Sequence, residues 1–118
     1  MQEEYITSLH EFDVLKQTNV SSNRALVLIF SAPWCQLCTP MKEFVESQRH
    51  DTPLDRCIAN TPDSEELVEA FEVTKLPAVF VYSGGNLVGS TTGLDTETLK
   101  KLLTIATWNV KGLDAVEF

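Results

Sequence analysis

The spacing of apolar and polar residues changes several times along this chain, and each change marks an element. Ala25-Leu26-Val27-Leu28-Ile29-Phe30 is an unbroken apolar run. A run without polar alternation suits a central strand buried on both faces, predicted over 24–30. Beyond it, Leu37, Met41, Phe44 and Val45 fall at i, i+4, i+7 and i+8, one face of a helix that runs to Arg49. Upstream, Tyr5-Ile6-Thr7 suits a short strand. Ser8 and Glu11 then match the S-x-x-E capping box, opening a helix that buries Leu9, Phe12 and Leu15 and closes in the polar stretch Asn19–Asn23. Asp51-Thr52-Pro53 breaks the chain before a strand over Leu54–Ala59, and Asp63 or Ser64 caps a short helix carrying Leu67, Val68 and Phe71.

Ala78-Val79-Phe80-Val81-Tyr82 is rich in β-formers. Ser83-Gly84-Gly85-Asn86 is a hairpin turn, because adjacent glycines accept positive φ without strain. Leu87–Thr92 returns as the antiparallel partner, Gly93 ends it, and Asp95 or Thr96 opens a last helix burying Leu99, Leu102, Leu103 and Ala106. The order is β-α-β-α-β-α-β-β-α, an α/β chain with no internal repeat, linker or low-complexity segment.

The length of 118 residues fits one domain with a single packed core. Residues 1–107 are predicted to form it. Residues 108–118 are an extension whose Trp108, Val110, Leu113, Val116 and Phe118 stand among charges, a pattern suited to docking on the body or on a partner. No apolar stretch approaches the roughly 20 residues needed to cross a bilayer. The acidic start Met1-Gln2-Glu3-Glu4 is not followed by an apolar signal region, so a cytoplasmic location is expected. Seventeen acidic against nine basic residues give a net charge of −8. Such a surface repels nucleic-acid phosphates and anionic membrane, so neither is expected as a partner.

The chemistry gathers at Trp34-Cys35-Gln36-Leu37-Cys38, where the central strand hands over to a helix. Unpaired N–H groups and the positive end of the helix dipole favour a thiolate there, lowering a cysteine pKa from about 8.5 to about 7 or below. A C-x-x-C pair is also half a zinc site, but only Cys57, His10 and His50 remain and none has partner spacing. No metal is expected. Cys57, inside a strand, reads as a small buried hydrophobe. The chain reads as a dithiol redox device.

Three features taken together resemble the thioredoxin family: Ala32-Pro33-Trp34-Cys35-Gln36-Leu37-Cys38, the later Leu76-Pro77-Ala78, and the Gly84-Gly85 hairpin followed by Gly93. The resemblance covers Tyr5 to Ala106. It implies the thioredoxin fold, a central mixed five-stranded sheet flanked by four helices, with the dithiol at one edge of the molecule. It also implies a thiol–disulfide oxidoreductase that reduces protein disulfides, with Cys35 as exposed nucleophile and Cys38 as buried resolving thiol. Pro77 would be cis, Leu76 would pair with an extended substrate strand, and Trp34, Ala32, Leu76, Thr92 and Gly93 would rim the nucleophile. The implied partners are oxidised proteins and, as electron donor, a flavin- and NADPH-dependent thioredoxin reductase. The protein itself would be a monomer with no bound cofactor. The alternatives are a disulfide isomerase or oxidant, and a thioredoxin-fold module that only binds a protein partner.

The chain departs from that family at several points. Ile29 stands six residues before Cys35, where members commonly carry a buried aspartate that accepts the proton of the resolving thiol. Gln36-Leu37 replaces the usual Gly-Pro. Thr39-Pro40 replaces a lysine and a helix former, and Glu43 stands where a kinking proline is usual.

Overall fold

The computed structural model describes residues 4–22, 24–49 and 52–115, with side chains for 4–20, 24–49 and 52–107. Its elements are β1 (Glu4–Tyr5), α1 (Leu9–Ser22), β2 (Ala25–Ser31), α2 (Cys38–Gln48), β3 (Leu54–Asn60), a 3-10 turn (Thr61–Asp63), α3 (Glu65–Ala70), β4 (Ala78–Ser83), β5 (Asn86–Thr92) and α4 (Thr96–Ala115).

The five strands form one mixed sheet in the order β1-β3-β2-β4-β5. β2 is parallel to β3, with Ile29 opposite Ile58, and antiparallel to β4, with Ile29 opposite Val79. All seven β2 residues are buried, as an apolar run with no alternation requires. Its odd and even positions serve two cores. Ala25, Val27 and Ile29 pack with Met41 and Val45 of α2 and Leu99, Leu103 and Ala106 of α4. Leu26, Leu28 and Phe30 pack with Phe12 of α1, Leu67 of α3 and Cys57 of β3. Helices therefore cover both faces, and β2 stays buried from Ala25 to Ser31.

Several local expectations hold for local reasons. Ser8 and Glu11 form the capping box: Glu11 N–H donates to Ser8 Oγ at 3.2 Å, and Glu11 Oε1 accepts from the N–H groups of Thr7 and Ser8 at 2.7 and 3.2 Å. Asp95 Oδ1 accepts from Thr98 N–H at 3.1 Å and opens α4. Gly84 and Gly85 take φ of 60° and 83° in the β4–β5 turn.

Other boundaries move. α1 runs through Ser22, inside the polar stretch Asn19–Asn23 expected to close it. The Asn19 amide is buried and donates to Ala25 O at 3.0 Å and Asp55 Oδ2 at 3.3 Å, so a residue of turn type serves as a clamp between helix and sheet. Ser64 holds the position before α3, but its hydroxyl donates to Ile6 O at 3.1 Å and makes no cap. β1 covers Glu4–Tyr5, and Ile6 N–H still reaches Ile58 O at 2.9 Å. The boundary drawn at 107/108 falls inside α4. That helix runs unbroken to Ala115 because residues 96–115 contain no proline and only Gly112, in the last turn, as a breaker. The side chains of the extension, from Trp108 on, lie outside the described residues. Near the middle of α4, Leu102 lies over the β5 backbone so closely that a Cβ at Gly89 would meet its Cδ2 at 2.6 Å.

The two helix caps make an acid prediction. Hydrogen bonds from the Thr7 and Thr98 backbones hold the carboxyls of Glu11 and Asp95 below the ordinary carboxylate range. A carboxyl depressed in the folded state contributes stability that is present at neutral pH and is lost as pH falls through its folded value. The thermal midpoint should therefore drop between about pH 5 and about pH 3. The double variant Glu11→Gln, Asp95→Asn should show a shallower drop over the same window, measured by circular dichroism.

Candidate active site

The site grows from the end of β2. After Ser31 the chain enters two successive tight turns. Cys35 N–H donates to Ala32 O at 3.1 Å, and Cys38 N–H donates to Cys35 O at 3.3 Å. These turns place Cys35 half-buried and Cys38 only 1% exposed. The Cα atoms are 5.4 Å apart and the two sulfurs are joined in a disulfide. α2 begins at Cys38, later than a start at Cys35 or Gln36 would have it. Both cysteines still sit at the positive end of its dipole, where unpaired first-turn donors favour a thiolate. Pro40 is the third residue of α2, so the N–H it lacks is one with no intrahelical partner in any case.

Three loops meet around these sulfurs because of the strand register. Phe30 of β2 lies opposite Ala78, and Ala78 lies opposite Thr92. Leu76-Pro77 therefore leads into the sheet beside the dithiol, and Thr92-Gly93 leaves it there. The Leu76–Pro77 peptide is cis, as the family resemblance implied. Gly93 N–H donates to Pro77 O at 2.8 Å, tying the two loops. Gly93 has a φ of 75° with nothing within 4 Å of a Cβ placed there, so conformation and not space asks for glycine. The structure thus brings Cys35, Cys38, Trp34, Leu76, Pro77, Thr92 and Gly93 to one end of the sheet.

The third thiol is elsewhere. Cys57 packs in the core beneath α1 and α3, on the sheet face opposite α2. Burial pushes its pKa up to about 12, so it stays protonated and inert at neutral pH.

Leu37 departs from its expected place. Helical spacing assigns it to the buried face of α2, yet it caps the helix without a side-chain hydrogen bond and is 48% exposed. Because α2 starts only at Cys38, Leu37 belongs to the turn between the cysteines. With Trp34 at 69% and Leu94 at 42%, it makes the dithiol face apolar. Sequence reasoning missed both leucines as surface residues. The signal available for Leu37 was its position between two turn-forming cysteines.

The thioredoxin family model matches residues 6–105. The chain belongs to the thioredoxin family. Thioredoxin 1 of Plasmodium falciparum (isolate 3D7) is 27% identical over 99 residues, 83% of this chain and 91% of that protein. Among solved structures, a mutant thioredoxin from Halobacterium salinarum superposes with a TM-score of 0.74 at 24% identity, covering 90% of this chain and 91% of that one. Schistosoma mansoni thioredoxin gives 0.76 at 14% identity, over 88% and 94%; these likenesses establish the fold. The family together with the Cys35–Cys38 pair makes this protein a thiol–disulfide oxidoreductase.

Beneath the site runs a row of paired residues: Ile58, Ile29, Val79 and Thr91. The first three are 0% exposed and none of the four ionises. With Ile29 there, the fold avoids desolvating a carboxylate, a cost of several kcal/mol. The resolving thiol correspondingly has no acid–base partner at that position. Ile29→Asp should lower the unfolding free energy by about 3–5 kcal/mol while raising turnover at pH 7, measured by urea unfolding and by disulfide reduction. Unchanged turnover would count against a missing proton acceptor. In the fully reduced native protein, iodoacetamide at pH 8 should spare Cys57, and peptide mass spectrometry would locate the label.

Proposed function

We propose that this protein reduces disulfides of oxidised proteins, cycling between the Cys35–Cys38 dithiol and its disulfide. The observation that carries this reading is the asymmetry of the pair: one sulfur open to an incoming disulfide, the other buried on the adjacent turn. The Cys35 thiolate attacks one sulfur of a substrate disulfide, forming a Cys35–substrate bond and releasing the other substrate sulfur as a thiolate that takes up a proton. Cys38, deprotonated, then attacks the Cys35 sulfur. The Cys35–substrate bond breaks, the second substrate thiol leaves, and the Cys35–Cys38 disulfide remains. Two electrons have passed from the protein to the substrate.

The Leu76–Pro77 edge supports the choice of a polypeptide substrate. It offers backbone groups beside the nucleophile, where an extended segment can add as a short strand. Family membership supports a flavin- and NADPH-dependent thioredoxin reductase as the source of electrons. Work as a monomer in the cytoplasm belongs to the same proposal.

The test is insulin reduction with dithiothreitol or with NADPH and a thioredoxin reductase. The wild-type protein should accelerate precipitation of the insulin B chain. Cys35→Ser should abolish the acceleration, and Cys38→Ser should accumulate a covalent complex with insulin visible on a non-reducing gel. No acceleration by wild type, with the dithiol intact, would reject the reading.

A further inference from the structure

The two edge strands of the sheet are defended differently. β1 is two residues long and one of them is Glu4, the short, charged kind of edge that resists strand addition. β5 is seven residues long, and Asn86–Thr92 contains neither charge nor proline. Among the described residues no strand lies beyond it. Its free backbone groups follow from the pairing with β4. Thr92 lies opposite Ala78, and Gly93 N–H donates to Pro77 O at 2.8 Å. Successive residues of an antiparallel strand turn their N–H and C=O to opposite sides. Gly93, Thr91 and Gly89 therefore face β4, while Thr92 and Ser90 face away from the sheet, and both of these are exposed. Val81 pairs with Gly89 and Tyr82 with Leu87, so Val88 is an extra residue, and this bulge ends the straight stretch. Midway between the two outward residues stands Thr91, whose Oγ1 is buried and finds no hydrogen-bond partner among the described residues.

We propose that β5 is a self-association edge: two copies of this chain pair antiparallel along it, about a two-fold axis through Thr91. Ser90 of one copy then meets Thr92 of the other, and Thr92 meets Ser90, and each such pair exchanges two backbone hydrogen bonds. The two Thr91 residues fall between them as a close pair on one face, and each hydroxyl gains the other as a partner. A second copy is the occupant because the edge complements itself. Its outward groups are symmetric about Thr91, and an orphan hydroxyl on the axis is matched by its own copy. Charge agrees with this choice. A chain of net charge −8 repels its copy, yet Leu76 to Leu94, between Lys75 and Asp95, carries no charged residue. In α4 the exposed Glu97 is joined by the exposed Lys100 and Lys101 of opposite sign. The register is short, so the pair is weak and the dilute chain remains single. The pairing goes beyond the reductase reading and does not rest on it.

The experiment uses the full chain with its Cys35–Cys38 disulfide closed, so that Cys57, buried, is the one free thiol and copies are not cross-linked. Sedimentation velocity from about 10 μM to about 1 mM should show a dimer that grows with concentration. Added salt should strengthen it, because screening relieves the repulsion between acidic chains. Amide exchange of Ser90 and Thr92 should slow as the dimer forms, read by NMR. Ser90→Pro removes an outward N–H, and Ser90→Glu keeps the backbone but adds charge at the edge; each should raise the dissociation constant about tenfold or more. Both variants should reduce insulin as fast as the wild type in dilute solution, which shows that they fold. Thr91→Val should weaken the pair and yet raise the thermal midpoint of the dilute chain, since it removes a buried hydroxyl without a partner. A chain still single at about 1 mM in high salt, an association untouched by Ser90→Glu or strengthened by Thr91→Val, or a dimer that leaves Ser90 and Thr92 exchange unchanged, would overturn the proposal.

Discussion

Seven consecutive buried residues, Ala25 to Ser31, are the constraint from which the rest of this molecule follows. Buried backbone must have its hydrogen bonds satisfied on both sides, and β2 satisfies them with β3 on one edge and β4 on the other. Its alternating side chains then demand a helical layer on each face, supplied by α2 and α4 on one side and α1 and α3 on the other. The chain leaving such a strand has one free direction. It turns at Pro33-Trp34 and delivers Cys35 to the surface and Cys38 to the first turn of α2. The reactive pair is held in place by packing, since no charged side chain lies between Ala25 and Met41 to hold it otherwise.

Much of this was legible along the chain, and the reasons are local. The unbroken apolar run identified β2, the S-x-x-E box fixed the start of α1, and paired glycines marked the β4–β5 turn. Each signal lies within about four residues of the structure it specifies. What the sequence did not disclose depends on distant partners. Asn19 read only as part of the polar stretch that closes α1, because its clamp to Ala25 and Asp55 is made only after the sheet assembles. Ser64 looked like a cap, yet its hydroxyl answers Ile6, 58 positions away. The close passage of Leu102 over Gly89 leaves no trace in either segment alone.

The site divides in the same way. The two cysteines were evident from their spacing and from the elements on either side. The meeting of Leu76-Pro77 with Thr92-Gly93 came from family resemblance and finds its physical cause in strand register. Leu37 was assigned to the wrong side of its helix because periodicity says where an apolar stripe runs but not on which residue the helix begins. A small shift at the head of α2 converts a core position into a surface one.

The burial of Cys57 has an implication for how this molecule stores electrons. Its sulfur lies across the sheet from α2, in the same core as Leu28, Phe12 and Leu67, and it does not ionise at physiological pH. Internal shuffling among three thiols is thereby prevented. The molecule has a capacity of a single electron pair, with two end states and no thiol in reserve.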